Sequence, residues 1–137
     1  MTIAIDSKGK GTLAIRLTGS AAVTNGGLGA YKNPEGVDVI ILRTTWYVKT
    51  PSAGAANVGI GVAADGTTKA TDILNDLAGN GAIAGKVYNG HAMQNIAKTE
   101  IAAPAVWSAD KYITFTGSAD TTGLDAELYV EYVRVPD

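Results

Sequence analysis

The stretch Lys111–Val135, KYITFTGSADTTGLDAELYVEYVRV, decides the fold class. Tyr112-Ile113-Thr114-Phe115-Thr116 is β-branched and aromatic with no breaker, which is strand composition. Ala126–Val135 is a second, longer strand. The segment between them, Gly117–Asp125, is polar and punctuated by glycine, so the chain can reverse there. In the last strand Leu128, Val130 and Tyr132 share one face, and Glu127, Tyr129, Glu131 and Val133 share the other. One face can enter a core while the other stays partly wet, the pattern of an antiparallel sheet.

Upstream, Val37–Val48 is the longest strand candidate. Simple alternation puts Ile40, Leu42, Trp46 and Val48 on one face, with Thr44 among them. The opposite face starts apolar at Val37, Val39 and Ile41 and turns polar at Arg43, Thr45 and Lys49. A strand apolar on both faces at one end suits a sandwich edge or a subunit contact. Val37, Val39 and Ile41, with Tyr129, are therefore the candidate oligomer interface. Asn57–Val62 returns the chain with Val58, Ile60 and Val62 inward, and Gly59 and Gly61 let another backbone approach. Thr71–Leu77 reads as one short helix: Thr71 caps it, Ile73, Leu74 and Leu77 share a face, and Gly79 stops it. Ile83–Tyr88 is a weak strand closed by the turn pair Asn89-Gly90. Ala103–Asp110 is an extended corner whose Trp107 packs over the end of the core.

At the amino end, Thr2–Ile5 and Thr12–Leu17 alternate around the joint Ser7–Gly11. Residues 1–32 are read either as an arm or as a first hairpin, ahead of a domain over 33–137. Together the short strands and single helix predict an all-β protein. The expected fold is an antiparallel β-sandwich of jelly-roll type, with an immunoglobulin-like sandwich as the alternative.

Composition bounds the function. The 137 residues fit one domain; 18 % are charged, against ~25 % in ordinary soluble domains, and 17 are glycine. So few charges suggest that part of the surface is covered by other chains. A net charge of −2 argues against a general nucleic-acid or anionic-membrane binder. No run approaches the ~18 apolar residues of a membrane-spanning helix. No secretory signal is expected, and a chain made and used in the cytoplasm, or assembled there into something larger, is the simplest reading.

Chemistry is sparse. His91 is the sole histidine, there is no cysteine, and no Gly-x-Ser-x-Gly elbow occurs. No catalytic residue, metal site or cofactor is expected. Asp65, Asp72 and Asp76 match no EF-hand spacing and read as turn and cap residues, as do Asp120 and Asp125. Trp46, Tyr47, Trp107 and Tyr129 could offer a sugar-stacking platform, though such residues more often fill cores and interfaces.

Three groups of residues carry a resemblance. Ala105–Thr114 is followed by Ser118-Ala119-Asp120 and then by Gly123–Tyr132. Asn33-Pro34-Glu35-Gly36 leads into the long strand, and Val58–Asp65 is followed by Asp72-Ile73-Leu74. This pattern, covering about Asn33–Val135, resembles the jelly-roll head auxiliary proteins of tailed bacteriophages. The resemblance implies a capsid decoration protein, often a trimer, or the base of a head fibre, and it carries no catalytic residues. It implies the major capsid protein as partner and the capsid surface of the virion as location. A glycan-binding jelly-roll module of a head or tail fibre is the alternative. The expected attachment element is the amino-terminal segment, with Ile3, Ile5, Lys8, Lys10 and Arg16 as candidate capsid contacts. Its alternating apolar stretches bury little alone, and its cations suit an acidic partner face.

Overall fold

A computed structural model describes residues 10–21, 28–78, 87–89 and 106–135. Nine strands appear: β1 Lys10–Thr18, β2 Gly29–Lys32, β3 Val39–Thr50, β4 Asn57–Ala63, β5 Leu74–Ala78, β6 Val87–Asn89, β7 Val106–Trp107, β8 Tyr112–Gly117 and β9 Asp125–Arg134. They form two sheets. The first runs β1-β9-β3-β6, with β7 also paired to β3; the second runs β2-β8-β4-β5. Every pairing is antiparallel. Consecutive strands alternate between the sheets except at β4/β5 and β6/β7, and the first and last strands lie side by side. That order is a jelly roll.

The core lies between the sheets. Trp46, Val48, Leu128 and Val130 from the first sheet meet Val58, Ile60, Ile113 and Phe115 from the second. β9 alternates strictly between buried and half-buried positions from Asp125 to Tyr132. Its Ala126, Leu128, Val130 and Tyr132 face inward, as the sequence pattern requires.

β3 departs from simple alternation. Ile41 pairs with Tyr132 and Arg43 with Glu131, so Leu42 is an extra residue opposite a single step of β9. Such a bulge reverses the facing of everything on one side of it. Beyond it Thr44, Trp46 and Val48 are buried; before it Val39 and Ile41 are buried instead of Ile40 and Leu42. The assignment of Ile40 and Leu42 to the core is thereby corrected: they are 38 % and 60 % exposed.

The helix predicted over Thr71–Leu77 is also corrected, and no helix occurs among the described residues. Leu74–Ala78 is β5, paired with β4, and the Ile73 amide donates to the Ile60 carbonyl at 2.9 Å. Leu77 stands opposite Val58 and Leu74 opposite Ile60, three residues on β5 spanning two on β4. A bulged strand thus reproduces the three-residue spacing of a helix face. A helix of one or two turns gains little against its nucleation cost, whereas the free edge of β4 offers ready partners.

Gly61 supports the reading of glycines as points of close approach. A Cβ there would lie 2.0 Å from Asp72 Oδ1 and 2.7 Å from Ala70, because the segment before β5 folds back over β4. The same Asp72 oxygen accepts the Val62 amide at 2.9 Å.

Candidate interaction surface

The register of the first sheet sets outward residues of β1, β9 and β3 in rows, beginning beside Thr18, Asp125 and Thr50 at one end. Arg16, Glu127 and Tyr47 form one row; Ala14, Tyr129 and Thr45 the next; Thr12, Glu131 and Arg43 the next. The last row runs from position 10 through Val133 and Ile40 to Val106 on β7.

The first three rows are a charged lattice. Arg43 Nε lies 2.7 Å from Glu131 Oε2, Lys49 Nζ 2.7 Å from Glu127 Oε1, and Arg16 Nε 3.2 Å from Asp125 Oδ1. Glu127 also accepts the Tyr129 hydroxyl. The Lys49 ammonium, then that hydroxyl, hold the Glu127 carboxyl below its ordinary range. Glu127 in turn raises the Lys49 ammonium and the Tyr129 phenol, and Asp125 raises the Arg16 guanidinium. Each charge on this side has its counter-charge on a neighbouring strand, where cross-strand pairs stabilise a sheet.

The last row is different. Ile40, Val133 and Val106 adjoin without a charge among the three, the row's one lysine standing at its β1 end, and Leu42 stands beside them on the bulge. Val106 is 48 % exposed. The bulge is what turns Ile40 and Leu42 outward, so the apolar row is a product of the irregular strand.

This end of the sheet is held rigid from behind. The Asn33 side-chain amide donates to the carbonyls of Val37 at 2.9 Å, Trp107 at 2.9 Å and Ser108 at 3.2 Å, and its Oδ1 accepts the Glu35 amide at 2.8 Å. The Asp38 carboxylate accepts the Ala109 amide at 2.9 Å, and its carbonyl accepts the Val135 amide at 2.9 Å. Trp107 is fully buried, with its indole N–H on the Lys111 carbonyl at 3.0 Å. The Tyr132 hydroxyl donates to Glu35 at 2.5 Å, and Arg134 lies 3.7 Å from the same carboxylate. Burial first, and then Glu35, push the Tyr132 phenol up to about 12. Asn33-Pro34-Glu35-Gly36 and the Trp107 corner, far apart in sequence, thus form one knot behind the apolar row.

A second feature lies at the opposite margin of this sheet. A cleft of about 250 Å³ opens between the edge strands β1 and β2, lined mainly by Ile15, Leu17, Leu28, Tyr31 and Phe115.

The candidate residues fall out unevenly. Of the proposed oligomer-interface residues, Val39 and Ile41 are in the core, a correction imposed by the bulge. Val37 is half-buried in the loop before β3, and Tyr129 is half-buried on the outer face. Of the proposed capsid contacts, Arg16 is exposed on β1 and paired with Asp125, and Lys10 begins β1. β1 pairs with β9 from Lys10 to Thr18 without interruption, so this part of the amino-terminal segment is a strand of the sandwich and not a free arm. Ile3, Ile5 and Lys8 lie outside the described residues, as does His91. Trp46 and Trp107 are buried, which leaves no stacking face on either. Asp65 accepts the Thr67 amide and hydroxyl and the Thr68 hydroxyl, each at 2.9 Å, a turn closure that lowers its carboxyl pKa. No acidic or histidine cluster able to hold a metal occurs among the described residues.

Exposed apolar residues missed at the sequence level are Ile40, Leu42 and Val106. For Ile40 and Leu42 the signal is the apolar run Val39–Leu42 at the start of a twelve-residue strand, which no single alternation fits; Val106 has no such signal.

No known protein family and no curated protein sequence matches the chain. Among solved structures it is similar to a chain in the capsid of Ralstonia phage GP4. The TM-score is 0.51 and the identity 15 %, over 100 % of this chain and 93 % of that one. At that identity the likeness is one of fold, and it spans the whole jelly roll.

Proposed function

We propose that the protein is a structural component of a bacteriophage virion, a capsid decoration or auxiliary protein that binds the shell and stabilises it without catalysing a reaction. The observation that carries this reading is the whole-length fold likeness to a chain of nearly equal length in a phage capsid. The apolar row Ile40, Val133, Val106, with Leu42, supplies a shell-facing surface, since exposed contiguous apolar side chains mark association sites. The chain enters β1 at Lys10, opposite Val133 in that same row. The expected attachment residues Ile3, Ile5 and Lys8 therefore precede the point where the row begins.

The action is mechanical. Each copy bridges neighbouring major capsid subunits on the outside of the shell and raises the free energy needed to part them. A modest contact repeated over a symmetric shell adds up through multivalency. The protein is made in the host cytoplasm and works on the virion.

The test is co-sedimentation with empty shells assembled from the major capsid protein of the same genome. Saturable, stoichiometric binding and a higher shell-disruption temperature are expected. Leu42→Asp, placing a charge in the apolar row, should abolish binding and leave the fold intact. Failure of the unmodified protein to sediment with shells would overturn the reading, and binding on a glycan array would favour a fibre module.

A further inference from the structure

The outer edge of β1 is an anomaly. β1 is nine residues long, unbulged, and contains no proline. Edge strands in lone sandwiches are ordinarily blunted by bulges, proline, charged side chains or short length, and of these β1 has only its charges, at positions 10 and 16. β2, the matching edge of the other sheet, is blunted: it has four residues and begins at Gly29, whose φ is +133. Among the described residues nothing pairs with the free side of β1. Its inward residues Leu13 and Ile15 are only half-buried, and the cleft between β1 and β2 leaves the core open beside them.

We infer that the β1 edge pairs with the β1 edge of a second copy of this chain about a two-fold axis at Ala14, joining two sandwiches through one continuous sheet. The register argues for that occupant. Antiparallel pairing centred on Ala14 sets Arg16 opposite Thr12 of the partner subunit, whose own β9 neighbour is Glu131. The row then reads Glu127, Arg16, Thr12 of the partner subunit, Glu131 of the partner subunit, with a cation between two carboxylates. On the axis Ala14 meets itself, small enough to pass. On the inner face Leu13 meets Ile15 of the partner subunit, which would complete the burial of both. The contact is isologous, so it closes as a dimer. It does not rest on the shell-binding reading, since self-association in solution is measured without shells.

The cysteine-free chain allows a clean test. Ala14→Cys, oxidised or joined by a short bis-maleimide, should give a covalent dimer, because directly opposed residues lie about 5 Å apart. Thr12→Cys alone should not, being displaced from the axis. Light scattering of the unmodified protein at high micromolar concentration should give twice the chain mass. Ala14→Asp should halve it, with far-ultraviolet circular dichroism unchanged because Ala14 is exposed. Mixing Ala14→Asp with Ala14→Lys should restore it. A monomeric unmodified protein overturns the inference. So does a trimer, or an oligomer that Ala14→Asp leaves intact, or one that Ala14→Cys fails to trap.

Discussion

β9 and β3 are the two longest strands, they lie side by side, and they read very differently. β9 keeps one alternation from end to end. β3 carries an extra residue at Leu42, and its two halves face opposite ways relative to simple counting. β9 lies between β1 and β3, paired along both edges, and its tight register with β1 leaves no room for an extra residue. β3 lies next to it but must also accept β6 at one end and β7 at the other. The regular strand builds the core. The irregular one builds the core and, at the bulge, an exposed apolar row.

The largest effect that separates the two strands is cavity formation. Leu128→Ala on β9 and Trp46→Ala on β3 beyond the bulge should each cost about 2–5 kcal/mol in denaturant unfolding. Leu42→Ala at the bulge should cost under about 0.5 kcal/mol. A loss under about 1 kcal/mol at Leu128, or a core-sized loss at Leu42, would show the facing to be inverted.

A smaller difference concerns the knot behind the row. Tyr132→Phe removes a buried hydroxyl bonded to Glu35 and should cost about 1–2 kcal/mol at neutral pH. The folded state raises the Tyr132 phenol from 10.0 to about 12. Its contribution is therefore fully present below the unfolded value and lost as pH rises from 10 towards 12. Alkaline unfolding of the unmodified chain should steepen in that window, and Tyr132→Phe should flatten it. Superimposable pH profiles would remove Tyr132 from the account.

The smallest effects belong to the lattice. Glu127 has a depressed pKa, so what it contributes is present above the ordinary glutamate range and is lost as pH falls through its folded value. Lys49→Ala should lower thermal stability only slightly, and less in high salt, because Lys49 is exposed and Glu127 only half-buried, so water screens the pair. A large loss that salt leaves unchanged would mean that Lys49 acts through packing of its stem.

The strand class, the alternation of β9, the inward Val58 and Ile60 of β4, and the burial of Trp46 and Trp107 were legible in the residues alone. For β9 and β4 this follows from a period of two, which the backbone imposes wherever pairing is regular; for the two tryptophans it follows from side-chain size and apolarity. Tertiary pairing settled which half of β3 faces in: apolar residues on both faces at one end mark the strand as irregular, but the position of the extra residue is set by register with β9. It also decided that Ile73 and Leu74 join a sheet edge instead of a helix, since the free edge of β4 outweighs a weak local propensity. The same holds for β1. Its alternation is plain in the sequence, but only pairing with β9 makes it part of the sandwich, and only the sheet order shows that no other described strand pairs with its second side.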